Sequence, residues 1–381
     1  MSQLKVNSIS DAAGSNGNAI SLASDGTCTA KITNNLSNRN LIINGAGLVN
    51  QRSATGQPVS GYAYGVDRLR GFNNGSARYD LTQATVTDLA GFSKAYKLEV
   101  TTAQSTYSGT TISVGVETVL EGQDIAHLNF GTSNAKNIIV SFYVKSSVTG
   151  NFACAVFNGN SIDRVNVKDF TISSANTWER KSVTFVGDTG GTWKTDNTQG
   201  LYVALASAGS DSDSAITTPG TWQGGGYKNR TTSSANIFAT NGATMQFTGL
   251  QLEIDNGSGV ATEFEMRSYA DELKSCERYY QTTNTYGTYN QNVGLGIAAG
   301  TNNIQFGIGF KTEMRTQPTV ILYNGVTGDA NKVRSKGGTN TTLNSVGYGR
   351  SPHGIDYTVS TSGDVVIGDW YQCVYTASAE L

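Results

Sequence analysis

The stretch Asn137 to Lys145, NIIVSFYVK, decides the fold class. It is an apolar run with β-branched content, which reads as a strand. Working outward, Ala95 to Val100 (AYKLEV) alternates apolar and polar residues, as does Trp178 to Val186 (WERKSVTFV). Gly200 to Leu205 (GLYVAL) and Met245 to Ile254 (MQFTGLQLEI) are further strand candidates. In Phe152-Ala153-Cys154-Ala155-Val156 alternate residues share one face of a strand. Gly, Asn and Asp punctuate these runs and no helical period intervenes, so residues 45–257 are expected to form a jelly-roll β-sandwich.

Composition agrees. The 381 residues include 45 glycines, about 12% against the usual ~7%, but only 4 prolines and no G-X-Y period, which excludes collagen. Charged residues make up 15%, well below the common ~25%, so the charged half of a helical-bundle surface is missing. Lys+Arg 27 against Asp+Glu 29 gives a net charge of -2, too little positive charge to gather phosphates, and no nucleic-acid partner is expected. No run of about 18 apolar residues occurs, so no membrane insertion is expected. The opening MSQLKVNSISDAAG lacks an apolar core and does not read as a secretory leader, which places synthesis in a cytoplasm. Cys28, Cys154, Cys276 and Cys373 lie far apart with no CxxC pair, and are read as reduced, mostly buried thiols.

The chain divides into four parts. In residues 1–44, short apolar pairs such as Leu4/Val6, Ile20/Leu22 and Ile32 are separated by turns. Each is too short to bury itself, and such segments become stable by winding around copies of themselves in a fibrous shaft. After the sandwich, residues 258–282 contain a helix. Tyr269, Leu273, Cys276 and Tyr280 fall on one helical face, and Ser268 with Asp271 forms a capping box. Residues 283–381 return to strands, at Asn303 to Phe310, Thr319 to Tyr323 and Val365 to Thr376, and read as a second, distal β-sandwich. Gly307 and Gly309 suggest a bulge or close backbone approach there. The segments Asn324 to Thr341 and Ser345 to Ile355 read as loops.

Enzyme templates are mostly empty. Two histidines, His127 and His353, cannot build an HExxH or three-histidine site, and no GxSxG elbow or phosphate loop exists. Gly294 to Gly300 (GLGIAAG) mimics a dinucleotide fingerprint with the wrong last spacing and is read as a β-turn segment. Asp188, Asp196, Asp211 and Asp213 are the carboxylates available to a glycosidase or a structural Ca²⁺, but aspartates in Gly/Thr loops usually make turn bonds. No catalytic residue, metal or cofactor is assigned. What remains is aromatics in polar loops, the chemistry that binds the apolar face and hydroxyl rim of a sugar. Trp193, Trp222 and Tyr227 have this setting in the sandwich loops, and Tyr348, Arg350, His353 and Tyr357 have it in the last domain. Trp178 and Trp370, inside strand patterns, are read as core plugs.

Three groups of motifs together resemble the tail fibre and receptor-binding proteins of tailed bacteriophages, especially those of cyanobacteria and other marine bacteria. The first is Asn40-Leu41-Ile42-Ile43-Asn44-Gly45, Asn50-Gln51-Arg52 and Val66-Asp67-Arg68. The second is Trp178-Glu179-Arg180-Lys181, Gly187-Asp188-Thr189-Gly190-Gly191-Thr192-Trp193, Asp196-Asn197 and Gly200-Leu201. The third is Leu250-Gln251-Leu252-Glu253, Phe264-Glu265-Met266-Arg267-Ser268-Tyr269, Cys276-Glu277-Arg278-Tyr279-Tyr280, Met314-Arg315-Thr316-Gln317-Pro318-Thr319 and Ala379-Glu380-Leu381, with Met266 where the family pattern has histidine. The resemblance implies a virion tail component, a homotrimer whose N-terminal segment docks on other tail proteins. It also implies a carbohydrate-binding-like jelly roll and a distal domain, and supplies no catalytic residues.

The expected function is therefore adsorption to host surface polysaccharide without bond cleavage, with receptor contact in the distal segment Asn324 to Ile355. The rivals are a tail adaptor that touches no host molecule and a polysaccharide depolymerase. The low charge suits neutral, hydroxyl-bearing glycans. The short N-terminal strands and the helical stripe predict a trimer; light scattering should return three times the chain mass, and a stable monomer at micromolar concentration refutes it.

Overall fold

A computed structural model describes residues 8–10, 18–22, 24, 28–30, 38–52, 59–107, 113–159, 163–209, 218–224, 228–283, 294–338, 340–346, 350–361 and 365–381. The chain is nearly all β. At its start Ser8–Ser10, Asn18–Leu22 and Cys28–Ala30 form a three-stranded antiparallel meander, with Ile9 opposite Ile20 and Ile20 opposite Ala30.

The central unit is a jelly-roll β-sandwich of two antiparallel sheets. The smaller places Glu179–Phe185, Ile138–Ser146, Thr244–Ile254, Lys94–Thr102 and Arg78–Thr85 side by side. The larger runs Gln223–Gly224, Arg164–Ile172, Gly150–Asn158, Gln199–Gly209, Ser113–Glu121, Leu69–Asn73 and Gly61–Val66. Gly150–Asn158 pairs directly with Gln199–Gly209, although Arg164–Ile172 of the same sheet and Glu179–Phe185 of the other lie between them in sequence, the crossover that makes the sandwich more than a meander. The deciding stretch is the second strand of the smaller sheet. Its Ile138, Val140, Phe142 and Val144 enter a core shared with Phe152, Cys154 and Val156 of the larger sheet, each large side chain contributing about 1.5–3 kcal/mol on burial.

The larger sheet is buried on both faces. Ala153, Ala155, Phe157, Val165, Val167 and Tyr202 point away from the central core into a second apolar cluster that also contains Tyr279 and Leu381. This is why all nine residues of Ser113–Glu121 are buried, whereas a one-sided strand alternates.

The last unit differs from the expected second sandwich. Trp370–Ser378 pairs with Gly294–Gly300, which continues through Asn303–Gly309, Gly354–Thr361, Asn340–Val346 and Lys332–Ser335 back to Trp370–Ser378. The ring closes into a small six-stranded barrel, and Tyr280–Thr282 and Thr319–Tyr323 add to Trp370–Ser378 beyond the ring. Ile304, Phe306, Val333, Ile355, Tyr371 and Cys373 fill it. Two expectations change as a result. The segment Asn324 to Ile355, expected to be loops, supplies barrel wall, because closure needs Lys332–Ser335 paired on both sides. Gly294–Gly300, read as a turn, is a strand. Gly307 and Gly309 make no close approach and the strand keeps its register against Gly354–Ser360; they sit on its exposed face.

The segment between the units is fastened down. Its helix, Tyr269–Glu277, is capped as expected: Ser268 Oγ accepts the Asp271 N–H at 3.1 Å and donates to the Asp271 carboxylate at 2.6 Å. The face turned inward keeps Cys276 of the expected stripe but not Tyr269. Tyr269 is exposed, and Glu272, Cys276 and Glu277 are buried, because the Glu272 carboxylate accepts the Asn44 N–H at 2.6 Å. Glu265 likewise accepts the N–H groups of Asn38 and Asn40, each at 2.6 Å. Cys154, Cys276 and Cys373 are free and buried.

Barrel and sandwich meet around Glu380. Its carboxylate is bound by Arg68 at 2.6 Å and by Arg52, and all three side chains are largely buried. Arg68 lies over the Tyr279 ring at 3.5 Å and Arg52 over Tyr280 at 3.8 Å. Beside them the buried Glu121 takes a two-pronged contact from Arg278 at 2.7 and 2.8 Å and a hydrogen bond from the Tyr279 hydroxyl at 2.6 Å. Arg315 joins the Ala379 carbonyl at 2.8 Å to the Asn197 carbonyl at 2.8 Å. Burial pushes the Asp67 carboxyl up to about 6, against the pull of Arg52 and the Gln51 N–H. Glu380→Ala leaves two buried guanidinium groups without their carboxylate, and urea unfolding should show a loss of about 3–5 kcal/mol; a loss below about 1 kcal/mol contradicts this assignment.

Candidate functional site

The tryptophans report which aromatic groups are committed to the fold. Asp188, 1% exposed, is held by Arg164 through Nε to Oδ2 at 2.8 Å and in turn accepts the Trp193 indole N–H at 3.2 Å. Gly191, at φ +74°, lets this turn close: a Cβ there would lie 2.5 Å from Arg164 Cγ. Trp193 meets Phe130 edge-on at 4.7 Å and Trp222 at 5.6 Å, so two of the expected site residues do come together. They do so as packing against the sandwich core, with the Trp222 N–H spent on the Val186 carbonyl at 2.7 Å. Asp196 is also committed locally, accepting the Thr198 N–H at 3.0 Å.

The other expected residues are scattered. Tyr227 and Tyr348 lie outside the described residues, as do Asp211 and Asp213. Arg350 stands opposite Ile355 and Tyr357 opposite Phe306 in the barrel ladder; only their backbones are described. His353 is exposed on the tight turn between the paired Ser351 and Gly354, where its carbonyl accepts the Phe310 N–H at 3.0 Å. A cleft of about 700 Å³ runs between Asn40, Asp124, His127 and Arg267. Its Glu265 is spent on the backbone of residues 38–40, and burial beside Glu121 pushes the Asp124 carboxyl up. Among the described residues no group of three or more metal-ligating side chains gathers.

Trp178 and Trp370, expected to be core plugs, are not. Trp178 is half-buried on the outer side of the sandwich, donating to Asp88 at 2.8 Å with Lys145 Nζ 5.2 Å from its ring. Trp370 is 54% exposed, while its neighbour Tyr371 is buried in the barrel. Three of the four tryptophans therefore have acceptors for their indole N–H, and Trp370 has none among the described residues.

Trp370 stands at the centre of a face built by register. Ile297 lies directly opposite it, and Gln305 lies opposite Ile297 on the next strand. One step along, Leu295 pairs with Gln372, and Gln372 with Arg334. Lys336 donates its backbone N–H to the Trp370 carbonyl at 3.0 Å and holds Nζ 5.7 Å from the ring centroid. Leu295 and Ile297 are 57% and 60% exposed, and Val366 and Ile367 add to the same exposed apolar set. The inversion has a cause. A Cβ on Gly296 would lie 2.6 Å from the Phe306 ring, so the strand turns its small residues inward and its large ones out. The result is a flat aromatic and aliphatic surface rimmed by two glutamines and two cations, on a closed scaffold that holds it rigid. The alternation Trp370, Gln372 against Tyr371, Cys373 was the available sequence signal for this face.

The motifs carrying the phage-fibre resemblance lie elsewhere. Arg52, Arg68, Arg278, Tyr279, Arg315 and Glu380 make the junction, and Glu265 with Arg267 anchors residues 38–42. They build the scaffold.

No protein-family model matches the chain, and no curated protein does. Among solved structures it is similar to the enzymatically active domain of bacteriophage CBA120 tailspike protein 4 (10% identity, TM-score 0.31), covering 57% of this chain and 22% of that one. It is similar to the arabinose-bound α-L-arabinofuranosidase MgGH51 (10% identity, TM-score 0.30), covering 63% of this chain and 30% of that one. It is also similar to the carbohydrate-binding module TmCBM61 in complex with β-1,4-galactotriose (10% identity, TM-score 0.30), covering 57% of this chain and 99% of that one. The first two likenesses thus span less than a third of those chains, and at such TM-scores none of the three bears on function. The fold rests on the strand pairing described above.

The two kinds of tryptophan differ in expected behaviour. Trp193→Ala removes a packed ring and should cost about 3–5 kcal/mol in unfolding experiments, whereas Trp370→Ala should shift stability by no more than about 0.5 kcal/mol. Equal losses would mean that Trp370 is part of the core.

Proposed function

We propose that this chain is an attachment protein of a bacteriophage tail that binds host surface glycans through the Trp370 face of its barrel. The observation that carries the reading is an exposed indole whose N–H has no acceptor among the described residues, flanked by Gln305, Gln372 and Lys336. A sugar ring stacks its apolar face on a flat aromatic and offers its hydroxyl rim to neighbouring amide groups. The tail assignment is supported by the motif resemblance. Binding proceeds without bond cleavage: Asp188 and Glu121 are neutralised by arginines and Asp196 is tied to its own turn. A shallow face of this kind binds weakly, about −4 kcal/mol at millimolar Kd. Three copies on a trimeric fibre would raise avidity by roughly 10²–10⁴ where the geometry allows simultaneous contact.

A second reading is favoured by the aliphatic share of the face. Leu295, Ile297, Val366 and Ile367 suit a protein partner, as in a tail adaptor, because exposed contiguous apolar surface commonly marks an interface. Glycan-array binding of fluorescent wild-type protein and Trp370→Ala decides between them. Retention of wild type on surface polysaccharides, lost at least ~10-fold in the variant with oligomeric state unchanged, supports the glycan reading. A change in oligomeric state with no glycan signal from either protein overturns it, and release of reducing ends from a bound polysaccharide overturns the non-enzymatic part.

A further inference from the structure

Resting on that reading of the Trp370 face, we infer that its ligands are acidic glycans, sugars bearing a carboxylate such as uronic acids, in place of the neutral ones that the overall composition suggests. The whole chain carries a net charge of -2, yet the rim of this face is cationic. Arg334 and Lys336 lie on one edge of it, Arg334 paired with Gln372 and Lys336 hydrogen-bonded through its backbone to Trp370. A Cβ on Gly338 would lie 3.3 Å from Arg334 Nη2, so the guanidinium leans toward the turn after Lys336 and the two charges share one edge. Among the described residues neither has an ion-pair partner, although Arg39, Arg52, Arg68, Arg70, Arg164, Arg180, Arg267 and Arg278 all do. The third cation of that strand, Lys332, is already paired with Asp329 at 3.1 Å. On the other side Asp369 Oδ1 accepts the backbone N–H of Trp370 at 2.9 Å.

The geometry suits a sugar acid. A ring stacked on Trp370 has its edge toward Lys336 and Arg334, where an equatorial carboxylate meets a fork of guanidinium donors and a point charge. A guanidinium binds a carboxylate with two parallel hydrogen bonds, which a hydroxyl cannot use. Neutral sugars therefore gain only the stacking and amide contacts, and acidic ones gain a charge-assisted pair in addition.

Calorimetric titration of the full chain with tetragalacturonate and with β-1,4-galactotetraose tests this. At 50 mM salt the acidic oligomer should bind at least ~10-fold more tightly, and the advantage should shrink toward unity at 1 M salt, where the Debye length falls to about 3 Å. Arg334→Gln/Lys336→Gln, checked for an unchanged melting temperature, should remove the preference while keeping the weaker neutral binding; Trp370→Ala should abolish both. Equal affinities for the two oligomers, or a preference that survives the double substitution, overturns the inference and leaves the glycan reading standing. Binding of neither oligomer, together with no signal from any polysaccharide on the array, overturns the glycan reading itself.

Discussion

The arrangement of this chain depends on one buried carboxylate. Glu380 lies two residues past the end of the last barrel strand and is gripped by Arg52 and Arg68, which flank the start of the sandwich. Buried charges are tolerated only where each finds a partner, since an unpaired ion in the interior costs several kcal/mol. The same rule governs Glu121 with Arg278, and Arg70 with Glu117. Residues more than three hundred positions apart are therefore held in one geometry, and the segment between the units has no freedom to act as a hinge. In a chain this poor in charge, Arg52, Arg68, Glu121, Arg278 and Glu380 gather at the junction, where they fix the relation of sandwich to barrel.

That use of charge explains why the motifs behind the resemblance are uninformative about ligands. Asn-Gln-Arg at 50–52, Asp-Arg at 67–68, Arg-Tyr at 278–279 and Glu380 are distinctive because each must match several partners at once, and those partners are other parts of the same chain. Trp193, set in an equally distinctive Gly-rich turn, is held by Asp188 and two aromatic rings for the same reason. A residue free to meet a ligand is under none of these constraints. Trp370, exposed and with no acceptor for its indole N–H among the described residues, fits that description better than Trp193.

The barrel makes the exposure possible. Gly296 sits against the Phe306 ring, which forces Leu295 and Ile297 outward beside Trp370. Closure of the ring through Lys332–Ser335 then brings Arg334 and Lys336 to the edge of that surface. A rigid wall suits an adhesive face, because little conformational entropy is lost on binding.

Much was legible without coordinates. Period-two alternation, Gly and Asn punctuation and the missing helix formers established a β-protein with a central jelly roll, and Ser268 with Asp271 marked the start of its helix. These are local properties, encoded within a few residues of where they act. The rest is non-local. Whether Gly294–Gly300 is a turn or a strand, and whether 324–355 is loop or wall, depends on which distant strand offers hydrogen bonds, and barrel closure is invisible to any local window. Which face of a strand looks inward depends on the volume opposite, so a tryptophan beside Tyr371 reads as core until Phe306 is seen to fill the space. The sequence by itself determined the period and the punctuation. Only the tertiary structure decided which aromatic groups were left for other molecules, because that is settled by what the remaining side chains have already used.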